Sequence, residues 1–499
     1  MRSRLLAALV AGTLCALLCL LLVPAVVNGD GLGYLKAAPT GIYYPGHLGY
    51  LPLLRFLGRL TGRSGSLALL APARALSVIA CGIGVAAFHG AARRLLDRSP
   101  GDGARGALYG AIGFAVSFGA LQVGSDVETY APALSAMCIG LYCAVRRQSG
   151  GGARFVAATA VAVAVAALLH VENVLFAPAA ALLCARPCDD DGVDGRWRRG
   201  DGLAVLFGSG ALVLTAYLAA FHFRRDTPLS ALRWFFGAGH GYAHPLRLST
   251  PLIALYGMAK TLVYAPYPHQ APWASVVGQT LAGVAGLAAL LWLARRNARK
   301  KVLRGGVGAA WIIPYLLVGV AFFASDNERW VFLLPPAWLV ASAGAATSRR
   351  ASFVAAGLVS GLFVLDVTLG VALARDDEIR VRADAVAADV SPNDLVISPG
   401  HSWDEYIGFY QSIPLEHFPM IYFCGDLGGA AAMKRELAHR VVDARARHAG
   451  VFLARVDEPD GADGWKELAL FGITPANVDA LLPPGHRVPI APGLVRLDP

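Results

Sequence analysis

Apolar runs, each long enough to cross a hydrocarbon layer of about 30 Å, alternate over the first three quarters of the chain with short connections rich in Arg or in Gly and Pro. The first run, Leu5 to Val27, follows Arg2 and Arg4 and exceeds the apolar stretch of a signal peptide. It reads as a retained first helix with its N-terminus inside. Ten further spans are predicted at 66–89, 105–121, 130–145, 154–170, 172–185, 202–221, 272–294, 307–323, 331–347 and 352–373, which makes about eleven crossings. The stretch from Pro251 to Pro266 is too short and too Pro-bounded to span, and is expected as an interfacial or re-entrant helix on the outer side.

Composition agrees with this pattern. With 56% hydrophobic and 16% charged residues over 499 positions, the chain is too apolar for an ordinary soluble enzyme. Its net charge of +10 would raise nucleic acid as a partner if it were spread evenly, but the segment from Arg375 onward is acidic and the excess cations belong to the hydrophobic part. There they collect at every second connection: Arg93 to Arg105, Arg146 to Arg154, Arg186 to Arg199, Arg295 to Arg304, and Arg349 with Arg350. These loops are read as cytoplasmic, and an odd number of crossings then leaves the C-terminal tail outside.

Residues 1–374 are therefore expected as a transmembrane domain and 375–499 as a small extracytoplasmic α/β domain. Within the tail, Leu395 to Ile397, Met420 to Phe423, Val451 to Val456 and Leu494 to Leu497 read as short strands, and Ala430 to Ala449 as a helix. Only Cys424 of the eight cysteines lies there, so no disulfide can staple the domain. No internal repeat of fixed period is visible.

Candidate chemistry gathers in the outer connections. Asp30 stands just beyond the first span, ahead of Tyr34, Tyr43, Tyr44 and His47. A carboxylate there can act as general base on a hydroxyl at the membrane face, or be a helix-end residue in a turn. Asp126 and Glu128 open the next outer loop; one can face a site while Ser125 or Asp126 caps the following helix. His170 and Glu172, between apolar spans, either line a wet cavity or hydrogen bond between helices. Arg329 can grip phosphate oxygens in a bidentate manner, with Trp330 as an interfacial anchor, or can pair with Asp326 or Glu328. Arg224, Arg225, Arg233, Arg247 and Lys260 occupy an outer segment, where they can meet lipid phosphates or form an interfacial helix. His240, His244 and His269 lack a completing ligand nearby, so no metal or other cofactor is expected, although a divalent cation is compatible with the acids.

Four stretches in this order, NGDGLGYLKAAPTGIYYPGHLGYLPL, GSDVETYAPAL, LLHVENVLFAPAAL and DNERWVFLLPPAWL, resemble the GT-C superfamily of polytopic glycosyltransferases, most closely the bacterial relatives of protein O-mannosyltransferases. The sequence departs from that pattern in following Asp30 with Gly31-Leu32-Gly33, without a second acid in the first loop. The resemblance implies an inverting transfer of a hexose or pentose from a polyprenyl-phosphate donor to an acceptor hydroxyl on a protein, lipid or glycan, at the outer face of a bacterial-type cytoplasmic membrane. Asp30 matches the first-loop acid, taken as the base, and Asp126 or Glu128 the second-loop acid. Arg329, Lys260, His170, Glu172 and His47 form the expected donor-phosphate or substrate-binding set. Two other classes are weighed against this one. A transporter or lipid flippase would need a polar path through the bilayer, whereas the acids gather on the outer side; a non-catalytic assembly protein would bind a partner through its tail. In the tail, His401, Asp404 and Glu405 follow a strand, but Ser402 with Glu405 also fits a capping box, so the tail is expected to present acceptor and not to perform the chemistry.

The charge pattern makes a direct prediction. An alkaline phosphatase fused after Pro499 should be active in an exported location; activity of a cytoplasm-only reporter at that point would overturn the topology.

Overall fold

A computed structural model describes residues 2–96, 102–186, 198–224, 247–264, 272–297, 306–321, 324–375, 378–399, 404–426, 429–454, 465, 468–469, 471–474, 486–491 and 494–498. The chain divides into two compact units, Met1–Arg375 and Asp376–Pro499.

In the first unit the helices are α1 (Arg2–Leu21), α2 (Gly29–Ala37), α3 (Tyr50–Thr61), α4 (Ser66–Leu95), α5 (Asp102–Val116), α6 (Phe118–Ser125), α7 (Tyr130–Gln148) and α8 (Arg154–Leu169). They continue as α9 (Ala177–Ala185), α10 (Arg199–Arg224), α11 (Thr250–Leu262), α12 (Trp273–Asn297), α13 (Val307–Ala321), α14 (Asn327–Trp330), α15 (Leu334–Ala345) and α16 (Arg349–Ala374). Each expected span overlaps helical residues, with 105–121 split between α5 and α6, 172–185 beginning as a 3₁₀ turn and the first helix ending at Leu21, but only four described helices are by themselves long and apolar enough to cross a bilayer: Ser66–Leu95, Arg199–Arg224, Trp273–Arg296 and Arg349–Ala372. The pair α5 and α6, bent by 57°, is long and apolar enough together for a broken span or a re-entrant loop, and the segments Leu5–Leu21, Arg154–Leu169, Val171–Ala185 and Val307–Ala321 are apolar but shorter. Helix α11, with thirteen residues, reaches only about 20 Å, in keeping with a segment that does not cross.

Small residues set how closely these helices approach. A Cβ on Gly12 would meet the Gly82 carbonyl oxygen at 2.5 Å and one on Gly82 would meet that of Gly12 at 2.8 Å, so α1 and α4 cross backbone to backbone. Gly106, Gly110 and Gly113 give α5 a flat face against Trp338 and Ser342 of α15. At the bend, the Ser117 hydroxyl donates back to the Gly113 carbonyl at 2.7 Å and accepts from the Trp338 indole at 3.0 Å. Asp366 of α16, fully buried, accepts the Tyr264 N–H at 3.1 Å. A carboxylate inside the bundle thus fixes the chain just after α11.

The Arg-bearing ends lie opposite the acid-bearing ends along the helices. Arg93 and Arg94 sit in the last turn of α4, whereas Arg74, near its start, pairs with Asp126 at 3.5 Å. Arg147 at the end of α7 meets Asp201 at the start of α10 at 2.6 Å. Arg98, Arg196, Arg299, Lys300, Lys301 and Arg304 lie outside the described residues.

The second unit is a five-stranded sheet of β1 (Leu395–Ser398), β2 (Glu416–Pro419), β3 (Val451–Ala454), β4 (His486–Ala491) and β5 (Leu494–Asp498), in the order β2-β1-β3-β5-β4. Strand β1 runs parallel to β2 and β3, with Leu395 opposite Val451, while β5 is antiparallel to β3 and β4. Helices α17 (Glu378–Val386), α18 (Asp404–Tyr410), α19 (Met420–Asp426) and α20 (Ala430–Ala446) complete it. Met433, Leu437 and Val441 of α20 pack on Leu395, Ile397 and Leu453. One expectation is corrected: Met420 to Phe423 is helix, not strand. The strand is the preceding Glu416–Pro419, and Pro419, with no N–H to continue the ladder, ends it; Met420 and Cys424, one turn apart, then face the core.

The close packing at α5 carries a testable cost. A Cβ on Gly113 would run into the Trp338 ring, whereas one on Gly357 would meet nothing within 4 Å. Gly113→Ala should therefore lose about 1–3 kcal/mol, seen as a lower thermal midpoint in detergent, and Gly357→Ala should lose nothing.

Candidate active site at the acid-bearing helix ends

The first connection is shaped by its local sequence. Asn28, extended at φ −66° and ψ 167°, caps α2 by accepting the Gly31 N–H at 2.6 Å, which places Asp30 in the first turn. Asp30 is thus a helix-end residue, as the bland alternative held, but it is exposed and aimed at other acids. Gly31 has to be glycine, because a Cβ there would meet the Val127 carbonyl oxygen at 2.7 Å. That contact presses the start of α2 onto the second acidic connection.

Asp126 and Glu128 both face this junction. The Asp126 carboxylate accepts the Asn28 N–H and the Val127 N–H, each at 2.8 Å, beside the Arg74 guanidinium. Glu128, with no exposed surface, accepts from the Asn28 side-chain amide. The helix-cap reading of Ser125 or Asp126 is therefore corrected: Asp126 lies past the C-terminal end of α6, and Thr129 occupies the cap position of α7 without a side-chain bond. The acids are turned instead toward Asn28, whose N–H and amide meet both.

A third acid arrives from the late connection. Asp30, Glu128 and Glu328 bring carboxylate oxygens within 4.8 Å of one another. Glu328 accepts from the Gln122 amide at 3.2 Å, Gln122 accepts from Asn327 at 2.5 Å, and the Thr261 hydroxyl donates to the Asn327 carbonyl at 3.1 Å. Burial pushes Glu328 well above the usual carboxylate range, and Asp326 and Asp30 push it further. Glu128 is raised in the same way by burial and then by Glu328, Asp30 and Asp126. Burial also raises Asp126, against the pull of Arg74 and of its two backbone donors. Such a set must share a proton or be neutralised by a cation. Among the described residues the buried Glu128 Oε2 atom has no hydrogen-bond partner, and an all-oxygen donor set suits a hard divalent ion, so these three residues fit one. Sequence reading missed the contributions of Glu328, Gln122 and Asn28. Asn28 and Glu328 stood inside the stretches singled out, but nothing in their spacing showed their partners, which lie about a hundred and two hundred residues away.

Arg329 pairs with Glu172 through its Nη1 and lies 3.8 Å from Asp326 through its Nε. The Asp326 alternative is thus present but secondary, and Asp326 itself caps α14 by accepting the Glu328 N–H at 3.0 Å. The expected His170–Glu172 hydrogen bond is absent among the described residues. His170 lies within stacking distance of Tyr130, with ring centroids at 4.4 Å, of His47 at 4.9 Å and of Phe332 at 5.2 Å, and both its ring nitrogens lack hydrogen-bond partners. Burial, then the Arg329 charge, lowers His47 to about 4, which keeps it neutral near pH 7. Trp330 is no interfacial anchor: it is buried against Gly319 and Gly257 and donates its indole N–H to Ala324 at 3.0 Å. Lys260, also buried, projects over Tyr256 at 5.4 Å and interacts electrostatically with Asp326 and Glu328. Arg225, Arg233, His240, His244, His269, His401 and Ser402 lie outside the described residues.

No family model matches this chain. No curated protein matches it either. Solved structures do. ArnT from Cupriavidus metallidurans in the apo state aligns with a TM-score of 0.61 at 14% identity, covering 98% of this chain and 97% of that one. The same protein bound to undecaprenyl phosphate gives 0.57 over the same shares at 14% identity. The archaeal oligosaccharyltransferase AglB from Archaeoglobus fulgidus, in complex with an inhibitory peptide and a dolichol-phosphate, gives 0.54 at 11% identity over 95% of this chain and 72% of that one. This chain, a helical bundle followed by a small C-terminal sheet domain, thus shares the GT-C-like fold of these solved structures.

Proposed function

We propose that this protein is a membrane glycosyltransferase that moves a sugar from a polyprenyl-phosphate donor to an acceptor hydroxyl with inversion. The convergence of Asp30, Glu128 and Glu328 at helix ends carries the reading. Support comes from the fold, since ArnT has been seen with undecaprenyl phosphate and AglB with a dolichol-phosphate.

A lipid-linked donor stays in the bilayer, so its sugar–phosphate bond is reachable only where helices end at the membrane surface. Asp30, the exposed member of the cluster, is the group able to reach an acceptor hydroxyl. It takes the proton as that oxygen attacks the anomeric carbon from the side opposite the phosphate, and inversion follows. As the carbon–oxygen bond to the phosphate breaks, negative charge grows on the lipid phosphate. Lys260 and Arg329 supply positive charge near Asp326 and Glu328, where that leaving group would be held. A divalent cation bound by the carboxylates would add charge neutralisation at the same place. Asn28 orients Asp126 and Glu128, and Gln122 orients Glu328. The outer face of a bacterial-type cytoplasmic membrane is the proposed location.

Asp30→Asn preserves size and removes basicity. Sugar transfer from labelled polyprenyl-phosphate sugars in membranes should fall by about 10²–10⁴-fold with insertion unchanged. Wild-type turnover by this variant would refute the assignment of the base.

The cluster also predicts a pH signature. Glu128 and Glu328 have pKa values raised in the folded protein, so without metal their stabilising protons are held below the ordinary carboxylate pKa of about 4.3 and released as pH rises through the folded values. With a chelator present, the thermal midpoint should fall as pH rises from about 5 to about 8. With a divalent cation bound to deprotonated ligands, it should be flat or rise over that range. Identical profiles in the two conditions would remove the cation from the site.

A further inference from the structure

Helix α3 carries Arg55 and Arg59 one turn apart, and Arg63 follows the left-handed Gly62 that ends it. Gly58 lets the chain fold back onto the helix: a Cβ there would meet the Arg63 carbonyl oxygen at 2.5 Å and Leu69 Cδ2 at 2.8 Å. This return brings the three arginines to one groove of about 400 Å³, which also includes Pro39 and Ser64. Two of them are oriented from beneath. Arg55 lies over the Tyr43 ring at 4.9 Å and donates to the Ile42 carbonyl at 3.3 Å, while Arg63 donates to the Ala68 carbonyl at 3.4 Å. Among the described residues, no carboxylate lies within ion-pair distance of any of the three. Next to them Phe56, Leu60 and Leu67 are 60%, 70% and 40% exposed.

Uncompensated guanidinium groups beside exposed apolar side chains on one short helix belong at the boundary between acyl chains and headgroups. Charge and shape select the occupant. A guanidinium matches phosphate oxygens in a two-point fork, and a phospholipid would also lay its chains on Phe56 and Leu60, which a free anion cannot. We propose that this groove binds the phosphate headgroup of an anionic membrane phospholipid. The site uses residues distinct from those of the carboxylate cluster, and it places a lipid against the connection that delivers Asp30.

The test uses the full chain in phosphatidylcholine nanodiscs containing a small share of photoactivatable phosphatidylglycerol, with crosslinked peptides mapped by mass spectrometry. Labelling should concentrate on residues 55–67. Each basic side chain near an anionic lipid surface contributes roughly fivefold, so Arg55→Gln/Arg59→Gln/Arg63→Gln should lower that labelling at least about tenfold. The corresponding triple Lys variant should recover most of it, and Arg349→Gln/Arg350→Gln should leave it unchanged. Unaltered labelling of the triple Gln variant, or equal labelling by a photoactivatable phosphatidylcholine, would overturn the proposal. Displacement by inorganic phosphate would do so too, because it would make the groove a free-anion site.

Discussion

Three carboxylates held within 4.8 Å of one another at the end of an apolar bundle are the constraint around which the first unit is arranged. At an effective dielectric of about 20, two ionised groups at that separation repel by roughly 3 kcal/mol, and Glu128 has no exposed surface through which water could relieve it. The compensation is local and specific. Asn28 supplies a backbone N–H to Asp126 and a side-chain amide to Glu128, Arg74 supplies charge beside Asp126, and Gln122 supplies an amide to Glu328. Gly31 makes this reachable, since any side chain there would hold the first connection away from the second.

The ends of the helices are fixed from inside the bundle. Asp366 holds Tyr264 just past α11, while Ser117 and Trp338 fix the bend between α5 and α6. Helix α6 presents Gln122 and leads into Asp126; α11 presents Thr261 and Lys260. A buried carboxylate in α16 therefore anchors one element that carries the site, without touching any of the three clustered acids.

How far the sequence was legible follows from the range of the interactions. Apolar runs report burial along a helix, so the expected spans overlap helical segments, and the strands at Leu395 and Val451, buried at every position, were readable. The strands Glu416–Pro419 and His486–Ala491 were not, because they are short, partly polar and contain Pro, and only their neighbours in the sheet make them strands. At the site, Asp30, Asp126, Glu128, Glu172 and Arg329 were visible as charges where apolar runs stop. Their pairing was not. Nothing local to Arg329 indicates Glu172 in place of the nearer Glu328, and Trp330 looked interfacial because its burial depends on Gly257 and Gly319, which belong to other helices.

The same reasoning explains why exposure separates roles within one cluster. Glu128 is buried and bound to Asn28, and Glu328 is half-buried and tied to Gln122, so both carboxylates are held in place in a low-dielectric setting. Asp30 is exposed in the first turn of a capped helix, where solvent can reach it. Two acids fixed by side-chain amides thus stand beside one accessible acid, a difference that burial creates. It depends on the first connection staying pressed against the second, and so on Asn28 and Gly31 as much as on the carboxylates.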